Sequence, residues 1–379
     1  MRFPSLLLLF ATSALAALPY KGVDWSSLLI EERAGKTYKN SAGVVQPLET
    51  ILKASGVNTV RQRIWVRKNA FRSLSHPHTH TIPILTYPKV NPSDGNYNLA
   101  YNLALGKRAK AAGLKIYLDF HYSDTWADPA HQAPPSSWSS LSKPALITKI
   151  HSYTKSVLDA FAAADLHLSL VSIGNEITPG LLFPIGALGD GTGSKARNVA
   201  DLLKSASAGV KQSTMSPKPK IMIHLDNGWN WSTQSWWYDS VLAGGLSAAD
   251  YDIQGVSYYP FYSPDATLAA LTTSLNNMAA KYGKEVMVVE TDWPTYCPNP
   301  QYAFPADTKS IPVSVEGQAQ WMREVAKRVA SVPGGKGTGL FYWEPAWIEN
   351  PGLGSSCGWN LMVGSDGKVM SSLAVFKSI

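Results

Sequence analysis

The chain has 379 residues, 45% hydrophobic and 16% charged, which is too apolar for intrinsic disorder and long enough to bury one large core or two moderate ones. Two cysteines and no glycine period exclude a disulfide scaffold and a collagen-like fibre. The formal charge of +7 points to nucleic acid or an anionic surface only if the basic residues sit together on the folded body.

Residues 1–16 carry Arg2, an apolar run from Leu6 to Ala11, and small residues at Ala14 and Ala16. This pattern predicts an export signal cleaved before Ala17, because the run is too short to cross a bilayer core of about 30 Å. No later segment reaches the 18 or so apolar residues of a membrane span, so residues 17–379 are expected to be secreted, extracellular and free of the membrane. In an oxidising compartment Cys297 and Cys357 have only each other as partners, and a disulfide is expected, with two buried free thiols as the alternative. Closing that loop would stabilise the chain by roughly 4 kcal/mol in the chain-entropy description. One acceptor sequon for N-glycosylation occurs, at Asn230.

Eight short β-branched or aromatic runs then follow in order: Tyr20–Trp25, Val57–Trp65, Leu114–Asp124, Leu168–Ile177, Lys220–Gly228, Ile253–Phe261, Glu285–Trp293 and Gly339–Trp347. Alanine-rich stretches with apolar spacings of three and four separate them, at Leu99–Ala112, Ala145–Ala164, Lys195–Gln212, Ala266–Lys281 and Glu316–Ala330. Such alternation means a parallel sheet, and eight units predict a closed (β/α)8 TIM barrel with its site at the carboxyl ends of the strands. A dinucleotide-binding open sheet is excluded, because Gly22-Val23-Asp24 lacks the glycine fingerprint after the first strand. No linker divides the chain, so one catalytic domain is expected, acting as a monomer.

Polar residues ending apolar strands are therefore the candidates for chemistry. The fourth run ends Ile173-Gly174-Asn175-Glu176 and the seventh Val288-Val289-Glu290-Thr291-Asp292, each with a glutamate after a buried stretch. Strands four and seven face one another across a barrel mouth. Two carboxyls there can attack a glycosidic bond from two sides, one as a protonated acid and one as an ionised nucleophile. The surplus of aromatics, 13 Trp and 17 Tyr, fits flat sugar rings as ligands. Asp24, Asp119 and Asp124 lack the dense spacing of a calcium loop, and neither a metal nor another cofactor is expected.

The strings Ile173-Gly174-Asn175-Glu176-Ile177, His121-Tyr122-Ser123-Asp124-Thr125-Trp126-Ala127-Asp128-Pro129, His224-Leu225-Asp226-Asn227-Gly228, Val289-Glu290-Thr291-Asp292-Trp293-Pro294 and Tyr342-Trp343-Glu344-Pro345-Ala346-Trp347 together resemble glycoside hydrolase family 53, the fungal arabinogalactan endo-β-1,4-galactanases. The resemblance runs from about Tyr20 to Ile379 with one gap. It implies a retaining hydrolase of β-1,4-galactan in pectic arabinogalactan. In that reading Glu176 is the general acid/base, Glu290 the nucleophile about 5 to 5.5 Å from it, and Asn175 the contact to the sugar 2-hydroxyl. Arg61 and Tyr258 hold Glu290 ionised. His121 and His224 reach the sugar or a catalytic carboxylate, with a structural histidine as the alternative, Asp226 binds the substrate, and Trp126, Trp343 and Trp347 are stacking platforms. The carboxylate pair is shared with other barrel glycosidases such as mannanases, and loop contacts set the polysaccharide. A non-catalytic carbohydrate-binding barrel is the other alternative, and it would require loss of a carboxylate.

The gap is residues 66–89, which hold four basic side chains, no acid, and His76, His78 and His80 without a metal-ligand frame. Deleting them joins Trp65 to Val90-Asn91-Pro92-Ser93-Asp94-Gly95, the turn with which family members leave the second strand. Val66-Arg67 is compatible with an intron donor, Leu85-Thr86 with a branch site and Lys89 with an acceptor, and 24 codons make an intron-sized 72 nucleotides. The expectation is a translated intron, with a true surface insertion, disordered at the catalytic face, as the alternative. Arg2, Arg67, Lys68, Arg72 and Lys89 then account for five of the seven net charges, which removes the reason to expect nucleic acid as a partner.

Overall fold

The structure, a computed structural model, describes residues 17–66 and 95–379. The export signal expected at 1–16 lies outside these residues, as does the expected insertion from Arg67 onward.

Eight strands, β1 (Tyr20–Asp24), β2 (Thr59–Ile64), β3 (Lys115–Phe120), β4 (Leu168–Ser172), β5 (Lys220–Leu225), β6 (Ile253–Ser257), β7 (Glu285–Glu290) and β8 (Gly337–Tyr342), pair in sequence order as a closed parallel barrel. Closure is made where Tyr20, Lys21, Gly22 and Val23 pair with Gly339, Leu340, Phe341 and Tyr342. The helices are α1 (Leu28–Arg33), α2 (Leu48–Ala54), α3 (Leu99–Ala111), α4 (Lys143–Ala163), α5 (Gly193–Lys211), α6 (Trp231–Ala243), α7 (Leu268–Tyr282) and α8 (Val315–Ala330). The place of a helix after β8 is taken by a 3-10 segment, Ser371–Lys377, which bonds to α8 from Ser372 Oγ to Gln318 Oε1 at 2.8 Å. The (β/α)8 expectation holds.

Inside the barrel, Tyr117, Leu170, Met222, Ile253, Met287, Val289 and Phe341 form a closed apolar layer. Gly22 makes room for Phe341, since a Cβ there would lie 2.2 Å from the ring. The strands end earlier than their sequence runs predict. In β4 pairing stops at Ser172, and Ile173 to Ile177 leave the ladder to build the mouth, tied back by the Ile177 N–H donating to His224 O at 3.0 Å. Sequence periodicity missed α1, α2 and α6. The first two are short, and α6 has tryptophans around most of its circumference, so no clean apolar stripe marks it. The Asn230 side chain caps α6 by accepting from Thr233 N–H at 3.2 Å.

Cys297 and Cys357 form the expected disulfide, which ties the loop after β7 to the loop after β8. The Thr295 N–H donates to Trp359 O at 2.8 Å, and the Gly358 N–H donates to Tyr296 O at 2.9 Å, so these loops are joined by backbone bonds as well as by the disulfide. Trp359 in turn packs on the cluster of Trp347, Leu353 and Leu361.

Candidate active site

At the carboxyl ends of the strands lies a cleft of about 640 Å³, lined among others by Arg63, Trp126, Asn175, Glu176, Asp226, Ser257, Tyr259, Tyr262, Glu290, Asp292, Trp343 and Trp347. Its size fits a few sugar rings.

Strand alternation sets the floor. In β2, Arg61 and Arg63 are two residues apart and both point into the barrel, whereas Gln62 points out and donates to Asn102 O on α3 at 2.9 Å. The Arg61 guanidinium is fully buried and reaches Glu290 Oε1 at 2.7 Å, Asp24 Oδ2 at 3.0 Å, Asp119 Oδ2 at 2.6 Å and Asn175 Oδ1 at 2.8 Å. Arg63 reaches Asp24 Oδ1 at 3.2 Å and Glu344 Oε1 at 2.6 Å. The two cations bridge four acidic side chains, of which burial raises Glu344 to about 8, and removing one member of such a network costs about 3–5 kcal/mol. Asp24 and Asp119 are thus counterions of arginine. Burial acts to raise Asp119, but Arg61 and His121 outweigh it and bring its carboxyl to about 2.

Glu176 stands on a backbone with φ of +47°, in the left-handed region that non-glycine residues rarely enter. Gly174 permits the turn before it with φ of +129°, where a Cβ would press on Ile177 Cγ2 at 2.7 Å. Burial, with the Glu290 and Asp226 carboxylates nearby, pushes Glu176 well above the ordinary carboxylate range. Burial also raises Glu290, but Arg61 and the Tyr259 hydroxyl, which donates to Oε2 at 2.9 Å, oppose it. On balance both carboxyls are raised, Glu176 further, so Glu176 holds its proton more tightly and Glu290, paired with Arg61, is the one that ionises first.

The predicted site residues fall into three groups. Glu176, Glu290, Asn175, Asp226, Trp126, Trp343 and Trp347 line the cleft. Trp126 stacks on Trp347 with ring centres 5.9 Å apart and meets Trp343 edge-on at 6.0 Å, while the Arg63 guanidinium lies 4.4 Å from the Trp126 ring. The Asn175 amide is turned by Arg61 and by its own donation to Ala127 O at 2.6 Å. Asp226 accepts from Thr178 Oγ1 and from Asn227 Nδ2, the latter at 2.6 Å.

Arg61, His121 and His224 sit beneath the cleft and do not line it. His121 Nδ1 accepts from the Ala127 N–H at 2.9 Å, and so positions the loop that bears Trp126. His224 Nε2 pairs with Ser257 Oγ at 2.9 Å, and the Ser257 hydroxyl lies beside Glu176 and favours its charged form, so the histidine stands one residue away from the acid. Burial drives His224 down to about 3, which keeps the ring neutral. Neither histidine borders the cleft, because the barrel interior closes over both.

Tyr258 is a correction. Its hydroxyl donates to Ala266 O at 2.9 Å, behind the barrel wall, and its neighbour Tyr259 holds Glu290 instead. The register of β6 against β7 shifts between Val256 and Ser257, which changes the face that each following side chain takes. A bulge of this kind leaves no mark in hydrophobic periodicity.

Arg63, Tyr262 and Asp292 also line the cleft without having been singled out. Period-two spacing from Arg61 and from Glu290 carried the signal for Arg63 and Asp292. Tyr262, beyond the strand, left none. Among the described residues no cluster of three or more histidine, cysteine or acidic side chains has metal-binding geometry.

The sequence model of glycosyl hydrolase family 53 matches residues 20–376. The probable arabinogalactan endo-beta-1,4-galactanase A of Neosartorya fischeri is 54% identical over 379 residues, which covers 99% of this chain and 98% of that protein. The arabinogalactan endo-beta-1,4-galactanase of Thermothelomyces thermophilus is 54% identical over 364 residues, covering 96% of this chain and all of the other. A solved structure from a study of two fungal beta-1,4-galactanases superposes with a TM-score of 0.86 at 54% identity, covering 96% of this chain and 100% of that one.

Proposed function

The chain belongs to glycosyl hydrolase family 53, and from that premise we propose that it is a secreted, retaining endo-β-1,4-galactanase that cuts the galactan of pectic arabinogalactan by double displacement. The observation that carries the reading is the unequal carboxyl pair in an aromatic-lined cleft, one member pushed well above the carboxylate range and the other ion-paired with Arg61 and bonded by the Tyr259 hydroxyl. Glu290 attacks the anomeric carbon while Glu176 passes its proton to the departing glycosidic oxygen. A glycosyl-enzyme ester forms, Glu176 then takes a proton from water, and the water oxygen releases the sugar with its anomeric configuration retained. Asn175 holds the 2-hydroxyl, a contact that tightens as positive charge develops at the anomeric centre. Trp126, Trp343 and Trp347 stack the sugar rings, and Asp226 serves as a polar contact opposite them. Residues 1–16 direct export, Asn230 is open to glycosylation, and the mature chain acts as a monomer on its polymer.

Release of short β-1,4-galacto-oligosaccharides from galactan, with no release from mannan or cellulose, tests the substrate class. Proton NMR of the first product tests the stereochemistry: a β-anomer supports double displacement, and an initial α-anomer overturns it.

A further inference from the structure

Asp292 lies two residues beyond Glu290, past the end of β7, and lines the cleft while being only 1% exposed. The Trp343 N–H, which donates to Thr291 O at 3.1 Å, lies beside its carboxyl and favours its charge from the loop after β8. One of its oxygens, Oδ1, is buried and has no hydrogen-bond partner within the protein. A buried polar atom without a partner costs about 1–3 kcal/mol, so a carboxyl that carries one in the wall of a ligand cleft is placed to turn toward a ligand. Around it stand Glu290 on its own element, Asp24 after β1, Glu344 after β8, and Tyr259 and Tyr262 after β6. The basic groups of this region are engaged elsewhere, Arg61 with Glu290 and Arg63 with Glu344.

We propose that Asp292 is a substrate-positioning residue whose carboxyl hydrogen-bonds a hydroxyl of the sugar that Glu290 attacks, a role assigned on the reading of Glu290 as nucleophile. Burial beside the negative Glu290 pushes the Asp292 carboxyl well above its ordinary range, so it meets the sugar in neutral form, able to donate as well as accept. A neutral carboxyl next to an ionised one also avoids a second negative charge that would raise Glu290 and protonate the nucleophile. Asparagine has the same shape and offers the same donor and acceptor without titrating, whereas alanine offers neither.

The test uses the full-length enzyme with D292N and D292A. On soluble galactan, D292A is expected to lose about tenfold in kcat/KM with an unchanged melting temperature, and D292N to recover most of that loss below neutral pH. D292N should also keep its activity further into alkaline pH than the parent, where the Asp292 carboxyl ionises. Calorimetry in an E290Q background, where turnover cannot interfere, is expected to show galacto-oligosaccharide binding about tenfold weaker when D292A is added. Binding and kcat/KM of D292A within twofold of their references would overturn the role, as would a D292N variant no better than D292A. Undiminished turnover by E290Q alone would overturn the nucleophile reading instead, while the binding comparison would still report on Asp292.

Discussion

Each side chain at the mouth of this barrel owes its chemistry to what lies directly beneath it. Arg61 is the shared support: one guanidinium holds the ionised carboxylate, two counterions and the amide that faces the substrate. Replacing Glu290 with Gln should lower kcat on galactan by at least about three orders of magnitude with binding spared, and E176Q by about two to four, as measured by reducing-sugar release. Adjacent tyrosines offer a sharper contrast. Y259F removes the hydroxyl that donates to Glu290 and should cut kcat about tenfold or more, because a bond to a charged group is lost. Y258F removes only the bond to Ala266 O; it should cost about 1 kcal/mol in unfolding free energy and leave kcat unchanged. Equal kinetic effects of the two variants would contradict the geometry around β6.

At the scale of elements, the loops are joined so that the mouth is rigid although its backbone has left the sheet. The disulfide couples the loops after β7 and β8, and Trp359 carries that bracing to Trp347. The C297S/C357S variant should lose about 2–4 kcal/mol in denaturant unfolding and raise KM for galactan more than it changes kcat. The loop after β2 is the other test. Trp65 N–H donates to Tyr97 O at 2.9 Å and Val66 N–H to Ser123 O at 2.8 Å, so the chain on either side of residues 67–94 is already anchored together. Removing 66–89 puts Val90 in the place of buried Val66. That deletion is expected to fold with a melting temperature at or above the parent's and to hydrolyse galactan at least as fast. A variant that fails to fold, or a transcript that keeps these codons in the secreted enzyme, would establish a true insertion.

For the molecule as a whole, buried carboxyls decide how stability follows pH. Glu31 on α1 is fully buried, and burial, with Glu349 beside it, raises its carboxyl to about 7, against the pull of Lys36 and two backbone N–H groups. A carboxyl with a raised folded-state value binds its proton more tightly in the native protein. Its contribution is therefore complete below the ordinary value of about 4.5 and is lost as pH climbs through about 7. Asp119 has the opposite sign, stabilising above the unfolded carboxylate range and losing that contribution as pH falls toward about 2. Stability should be highest on the acid side of neutrality. E31Q is expected to raise the melting temperature at pH 8 and leave it unchanged at pH 5; an identical shift at both would remove Glu31 as the cause.

The sequence determined the barrel, because strand and helix alternate through most of the chain and a parallel sheet of eight such units closes on itself. It also singled out Glu176 and Glu290 as the candidate pair, because each stands out as a charge at the end of an apolar run. Tertiary structure alone decided which tyrosine meets Glu290, that both histidines lie under the floor, and that Asp292 borders the cleft with an oxygen to spare. These outcomes depend on the register of neighbouring strands and on where each chain leaves the ladder. Both are set by pairing and packing between residues far apart in sequence, and local pattern does not encode them.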